Sequence, residues 1–362
     1  MKNAERRALR DRCRWLNGHG PVSAAAHLQE VAAYCEAHDV ALDQYGEGAF
    51  LERFEAQVAE RLGFEAARFM PSGTMAQQIA LRIYGDLAGN PHVGMHPTAH
   101  VELHEERGYA HLHGLRATLV GSAGTPLVDS DFESLSEPLA ALLIELPIRE
   151  AGGQLPTWNE LAALKQSVGA TETRLHLDGA RLWECAPHYE RPYDEICAGF
   201  DSVYVSFYKG IGALPGAMLL GTRDFIDTAK LWQRRSGGNL YTLTPNAASA
   251  AMQFESRLER MPRYHTRAAE LAKLLGQVEG IRVLPDPPHT NMMHVFLDTD
   301  SESARTARDR FAQERGVWLC GGTSPADAPG MCRVELYIGD GALTVQDAEI
   351  TDGFRAMLTL SE

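Results

Sequence analysis

Two hydrophobic patterns alternate along the first 250 residues of the chain. The segment Ala49–Leu62 places its apolar residues on one face at helical spacing, which predicts a helix. Similar patterns predict helices over about Met75–Tyr84 and Thr157–Val168. Between and after them lie short apolar runs typical of buried strands: Ala117–Val120, Leu142–Glu145, Leu175–Asp178, Val203–Phe207 and Ala217–Gly221. This alternation predicts an α/β fold with a mainly parallel sheet.

The pattern changes after about residue 250. Helices are predicted over Met261–Val278, with Pro262 in the first turn, over Ser301–Gly316, and from Thr344, with Asp347 completing a capping motif. Strands are predicted over Met293–Asp298, Val317–Cys320 and Arg333–Ile338. We therefore expect an N-terminal arm and large domain over 1–250 and a small C-terminal α+β domain over 251–362.

Composition narrows the class of protein. The 362 residues are 44% hydrophobic and 23% charged, a globular balance, and the net charge of −14 disfavours nucleic-acid partners. No apolar run is long enough to span a membrane, and the N-terminus lacks the apolar core of a signal peptide. The six cysteines form no CxxC motif, so we expect a cytoplasmic protein with reduced thiols.

Three segments carry candidate chemistry. Ser72-Gly73-Thr74 comes before a predicted helix, where backbone N–H groups and the helix dipole favour an anion; a plain helix N-cap is the alternative. Asp178 ends an apolar strand, a usual ligand position in parallel sheets, although it also fits a helix cap. Lys209 enters a glycine-rich turn after a strand; it is either a Schiff-base amine or a surface lysine.

Together, the three segments match the three groups of pyridoxal phosphate that a protein binds, namely its phosphate, its ring nitrogen and its aldehyde. The blocks that carry this match are PSGTMAQQIAL, HLDGARLWE, DSVYVSFYKGIGALPGAMLLG, RRSGG and TNMMHVFLD. They resemble blocks of the threonine aldolase and β-eliminating lyase family of pyridoxal-phosphate enzymes, from about Tyr45 to Ile338. The resemblance implies fold type I, the aspartate-aminotransferase-like α/β fold.

The resemblance also implies roles for individual residues. Lys209 would form the Schiff base with pyridoxal phosphate, Asp178 would pair with its ring nitrogen, and His100 would stack on its ring. The phosphate would be held by Ser72, Gly73 and Thr74.

Substrate residues follow from the same resemblance. Arg333 would clamp the amino-acid carboxylate, and Arg181 would lie near the ring oxygen or that carboxylate. Asn17 stands where the family carries a Ser-Asp-Thr motif of the substrate site. The family's histidine near the substrate hydroxyl is replaced by Ile148, so His100 or His104 becomes the candidate base.

The implied activity is retro-aldol cleavage of a β-hydroxy-α-amino acid to glycine and an aldehyde, in a homodimer or homotetramer. The alternatives are β-elimination or racemisation of another amino acid, and a catalytically degenerate homologue that binds pyridoxal phosphate. A helical metal site at His100, His104 and Glu105 is a further alternative; we expect no metal, no nucleic acid and no membrane partner.

Overall fold

A computed structural model of the chain describes residues 3–358. The helices of eight or more residues and the shorter helical turns are α1 Asn3–Arg10, α2 Ala24–Ala37, α3 Ala49–Leu62, α4 Gly73–Ala88, α5 His100–Leu103, α6 Gly108–His111, α7 Asp129–Glu133, α8 Trp158–Gly169, α9 Ala186–Tyr189, α10 Tyr193–Cys197, α11 Arg223–Arg235, α12 Thr244–Leu275, α13 Ser301–Arg315 and α14 Asp347–Leu358. Turns of 3-10 helix lie at Arg149–Ala151, Leu182–Glu184 and Gly341–Leu343.

The strands are β1 Arg14–Trp15, β2 Ala66–Met70, β3 His92–Met95, β4 Arg116–Leu119, β5 Ala141–Glu145, β6 Arg174–Gly179, β7 Ser202–Ser206, β8 Ala217–Gly221, β9 Ile281–Leu284, β10 Met292–Leu297, β11 Val317–Trp318, β12 Ser324–Pro325 and β13 Cys332–Tyr337. Within the described residues they form a seven-stranded sheet, a four-stranded sheet and a two-stranded pair.

The described chain divides into two compact units. The large unit comprises residues 25–150 and 155–259, and the small unit comprises residues up to 24, 151–154 and from 260 onward. The small unit thus includes the N-terminal segment, which the sequence analysis grouped with the large domain. The predicted domain boundary near residue 250 stays a prediction. No helix within residues 3–358 has a stretch long and apolar enough to cross a membrane.

The large unit is built around the seven-stranded sheet, whose order is β2-β8-β7-β6-β5-β3-β4. β8 runs antiparallel to both of its neighbours and the remaining pairs are parallel, so the predicted mainly parallel α/β fold is confirmed. β5, β7 and β8 are buried at every position, as expected for strands covered on both faces. The helix α4 packs on one face through residues such as Ile79 and Ile83.

The small unit contains the antiparallel sheet β12-β13-β10-β9. Its hydrophobic core joins that sheet to α13 and α14, with Val295, Val334, Phe311 and Phe354 among the buried residues. The two-residue strands β1 and β11 pair in parallel. An antiparallel sheet covered by helices matches the predicted small α+β architecture.

Several predicted element boundaries are wrong, among them the following three. The helix predicted from Met261 begins at Thr244 and continues through Pro262; buried Phe254 and Tyr264 on either side of the proline offset the one backbone hydrogen bond that it removes. The last helix begins at Asp347, not at Thr344, because the Thr344 hydroxyl donates to the Gly341 carbonyl in the preceding turn. The strand predicted over Val317–Cys320 ends at Trp318.

Candidate active site

The site residues of the large unit meet at one edge of its sheet. β2, β5, β6 and β7 run in the same direction, so their carboxyl ends lie at that edge. Ser72 follows β2, Glu145 ends β5, Asp178 lies near the end of β6, and Lys209 follows β7. Ligands of open parallel sheets bind at this edge, and the structure therefore places three predicted site residues and one unpredicted carboxylate together.

The phosphate-binding prediction falls on the start of α4. The Ser72 hydroxyl accepts the Met75 amide at 3.3 Å, so Ser72 is the N-cap of this 16-residue helix. Gly73 is required by packing, since an added Cβ would lie 1.9 Å from the Tyr204 hydroxyl. Thr74 is exposed in the next position. Ser72 can cap the helix while the same helix start binds an anion, because a capped helix still presents free N–H groups and a positive dipole end.

Asp178 is a buried strand residue and not a helix cap. One of its carboxylate oxygens accepts the Ala180 amide at 3.0 Å. The other oxygen is buried and has no hydrogen-bond partner among residues 3–358. Burial raises the pKa of the Asp178 carboxyl, and the Lys209 charge opposes this rise. Such an oxygen is suited to a cationic N–H donor.

Lys209 lies in the turn after β7 and is partly buried. Burial lowers the pKa of its ammonium, and the Arg181 charge lowers it further, while Asp178 and Glu145 act in the opposite direction. The Lys209 ammonium lies 5.7 Å from the centre of the Tyr208 ring. A lowered pKa increases the fraction of neutral amine, which is the form that attacks a carbonyl.

The two candidate histidines are each held by a carboxylate. His100, the first residue of α5, pairs through Nδ1 with Glu105 at 3.0 Å, and Glu105 also accepts the Gln78 amide at 3.1 Å. His104 pairs through Nε2 with Glu150 at 3.0 Å. The imidazole centroids are 5.2 Å apart.

Ile148, the residue that stands where the family carries a histidine, is buried at 3% exposure. Its apolar side chain cannot take a proton. Two residues further along the chain, Glu150 pairs with His104. An imidazole is therefore present in this region, supplied by α5 and its following turn instead of by the segment after β5.

Asn17 and Arg333 lie in the small unit. The Asn17 side-chain oxygen accepts the Tyr337 amide, and Arg333 lies on β13 opposite Phe296 of β10. Their roles as substrate-binding residues stay predictions.

The site contains carboxylates that the sequence analysis did not assign. Glu145 is buried at 8% exposure and is the register partner of Asp178 on the neighbouring strand. Glu150, which pairs with His104, is the second of these carboxylates. An acidic residue at the end of an apolar strand was the available signal for Glu145, since acids are rarely buried without a reason.

Known proteins resemble this chain over most of its length. Residues 29–300 match the model of the family described as β-eliminating lyase. The chain belongs to the β-eliminating lyase family. Membership makes it a lyase and implies pyridoxal phosphate as the cofactor. Its architecture is that of fold type I, which confirms the predicted fold class.

Individual relatives of this β-eliminating lyase family member cover nearly the whole chain. A crystal structure of a putative L-allo-threonine aldolase from Listeria monocytogenes is 38% identical, covers 98% of both chains and has a TM-score of 0.91. A putative aromatic amino acid β-eliminating lyase/threonine aldolase from Exiguobacterium is 37% identical, covers 97% and 98%, and has a TM-score of 0.90. Low-specificity L-threonine aldolase 1 of Arabidopsis thaliana is 27% identical over 91% and 93% of the two chains.

The alternative of a metal site at the histidines gains no support from the geometry. His100 and His104 pair with two different glutamates. No group of three or more histidine, cysteine, aspartate or glutamate side chains is placed to hold a metal ion anywhere in residues 3–358.

Proposed function

We propose that this protein cleaves the Cα–Cβ bond of β-hydroxy-α-amino acids, releasing glycine and an aldehyde, with pyridoxal phosphate as cofactor. The observation that carries the proposal is the placement of Lys209, Asp178 and the start of α4 at one sheet edge. The names of the relatives, which are threonine or allo-threonine aldolases, support this reaction over others of the family.

The residues at the sheet edge fit pyridoxal phosphate. The unpartnered, buried oxygen of Asp178 within the described chain suits the protonated ring nitrogen, and the start of α4 suits the phosphate. Lys209 supplies the amine for the aldehyde. His100 and Arg181 would contact the ring and its oxygen. When bound, pyridoxal phosphate supplies an electron sink for the pair released at Cα.

The chain's own residues then have distinct tasks. Asp178 holds the proton at the ring nitrogen, and its burial keeps water from competing for that contact. Lys209, with its lowered pKa, would accept and donate a proton beside the substrate amine. Arg333 is proposed to bind the substrate carboxylate through two parallel N–H donors.

The proton on the substrate β-hydroxyl needs a base, and His104 is our candidate. Its Nε2 contact with Glu150 at 3.0 Å orients the imidazole and leaves Nδ1 as the nitrogen that would take the proton. His100 with Glu105 is the same kind of pair, but we assign it to stacking on the cofactor.

Lys209 is tested by trapping the cofactor. The holoenzyme should absorb near about 420 nm, as lysine-bound pyridoxal phosphate does, and borohydride reduction should fix the cofactor to Lys209 in a peptide map. Lys165 is an internal control, because burial also lowers its pKa, to about 8, while its amine donates to the Ile196 and Ala198 carbonyls. Cofactor fixed to Lys165, or to no lysine, would contradict the proposal.

Arg333→Lys should raise KM for every amino-acid substrate by about tenfold or more with a smaller change in kcat. The charge remains, but a lysine ammonium cannot replace a two-pronged guanidinium. Steady-state kinetics check this. The matched control is Arg282→Lys, on strand β9 of the same four-stranded sheet, where the side chain is exposed to solvent. An unchanged KM would remove Arg333 from the substrate site.

Cleavage at Cα–H, leading to β-elimination or racemisation, is the second candidate. The observation that favours it is Ile148, because this buried aliphatic residue removes the imidazole that the family places beside the substrate hydroxyl. A screen of β-hydroxy and β-substituted amino acids separates the two reactions. Glycine and aldehyde indicate retro-aldol cleavage, whereas pyruvate and ammonia indicate β-elimination.

We further propose a homodimer or homotetramer working in the cytoplasm. Large apolar side chains are exposed on two adjacent loops of the large unit, where the rings of Tyr45 and Tyr241 lie 5.5 Å apart and Leu240 is 44% exposed. Such a patch is typical of an interface. All six cysteines are free thiols, as expected in a reducing compartment.

A further inference from the structure

Glu145 and Asp178 form a pair of neighbouring buried carboxyl groups. They are register partners on the parallel strands β5 and β6, so their side chains leave the sheet on the same face about 5 Å apart at the backbone. Both residues are almost completely buried, at 8% and 1% exposure. The pair therefore lies in a low-dielectric region beneath the cofactor-binding edge.

The two carboxyl groups are held in the same way. One Glu145 oxygen accepts the Arg149 amide at 3.0 Å, and one Asp178 oxygen accepts the Ala180 amide at 3.0 Å. The second oxygen of each group is buried and has no hydrogen-bond partner among the described residues. Each carboxyl thus has one oxygen fixed by the backbone and one available for a proton.

Two adjacent buried carboxylates do not both ionise near neutral pH unless a further cation lies beside them. Burial, followed by the Asp178 charge, raises the pKa of Glu145 to about 7, while the Arg181 and His100 charges act against this rise. The Lys209 charge acts mainly on Asp178 and favours its ionised form. These charges favour an ionised Asp178 beside a protonated Glu145.

We propose that Glu145 stores the proton that the cofactor ring nitrogen requires and gives it up when pyridoxal phosphate binds. The step breaks the carboxyl O–H bond of the pair and forms the N–H bond at the ring nitrogen, and no oxidant or reductant takes part. Asp178 stays ionised to pair with that nitrogen, and Glu145 becomes a carboxylate, because the positive charge of the protonated ring compensates for the second negative charge of the pair. Glu145 is therefore a positioning residue that acts through Asp178, and this inference rests on the proposed cofactor.

The test counts protons exchanged when pyridoxal phosphate binds to the apoprotein. Calorimetry at pH 6.5 in buffers of different ionisation enthalpy gives this number for the wild type and for Glu145→Gln. The variant has no stored proton, so it should take up about one more proton from solvent than the wild type does. The difference should disappear at pH 8.5, where the wild-type pair has also lost its proton.

Glu55→Gln is the matched control. Glu55 is another buried glutamate of the large unit, with its pKa raised by burial to about 7, but it accepts the Phe69 amide on β2 and does not neighbour Asp178. Its substitution should leave the proton number unchanged. Equal proton numbers for wild type and Glu145→Gln, or a difference that persists at pH 8.5, would overturn the inference.

A measurement on the wild type alone guards against a variant that does not fold. The infrared difference spectrum between apoprotein and holoprotein at pH 6.5 should show loss of the C=O stretch of a protonated carboxylic acid. An unchanged band would overturn the inference even though the cofactor binds. Failure of the wild type to bind pyridoxal phosphate would instead contradict the proposed function, so the two failures are distinguishable.

Discussion

Asp178→Asn is expected to bind pyridoxal phosphate and to lose turnover by about a hundredfold or more. The carboxylate keeps the ring nitrogen protonated, and a neutral amide cannot do so, so the bound cofactor withdraws electrons less strongly. Preorganised electrostatic contacts of this type contribute roughly 3–4 kcal/mol to catalysis. The measurement is kcat for the best amino-acid substrate together with the cofactor content of the purified variant.

Asp201→Asn is the control for Asp178→Asn. Asp201 precedes β7 at the opposite end of the sheet strands and pairs with Arg174 at 2.8 Å, so this substitution also removes a charge next to β6. Turnover should be near that of the wild type. Nearly wild-type turnover of Asp178→Asn itself would show that this carboxylate serves only to bind the Ala180 amide.

Local patterns predicted much of the fold. The helix over Ala49–Leu62 is found with those bounds, because its apolar face is continuous and Gly63 follows in the left-handed conformation that ends helices. The predicted helix start at Met261 is wrong because packing of residues far along the chain outweighs the local free-energy cost of Pro262 inside the helix. Strand β3, His92–Met95, was missed because His92 and Gly94 interrupt its apolar run.

Some candidate site residues could likewise be predicted from local sequence, and others could not. Ser72, Asp178 and Lys209 could be found because each follows or ends a recognisable strand and their order matches the chemistry of one cofactor. The position of Glu145 beside Asp178 could not be predicted, because the pairing of β5 with β6 depends on a register between segments about thirty residues apart. The pairing of His104 with Glu150 spans a similar distance, 46 residues, and depends on where the turn after α5 lies.

His104→Asn is expected to lower kcat/KM for cleavage of β-hydroxy-α-amino acids by about a hundredfold. An asparagine preserves polarity and much of the volume but cannot accept the hydroxyl proton, and removal of a general base has this magnitude. Exchange of the glycine Cα proton with solvent should fall far less, because that step involves no β-hydroxyl. The measurement compares both rates for L-threonine, L-allo-threonine and an aromatic β-hydroxy amino acid.

The variant Ile148→His distinguishes a base from a merely structural histidine. Placed in the His104→Asn background, it returns an imidazole to the position where the resemblance expects one, and part of the lost cleavage should return with a pH dependence typical of an imidazole base. His111→Asn, an exposed histidine that ends α6, is the control and should leave both rates unchanged. If His104→Asn reduces glycine exchange and cleavage equally, then His104 only supports the fold around Glu150 and is not the base for the β-hydroxyl.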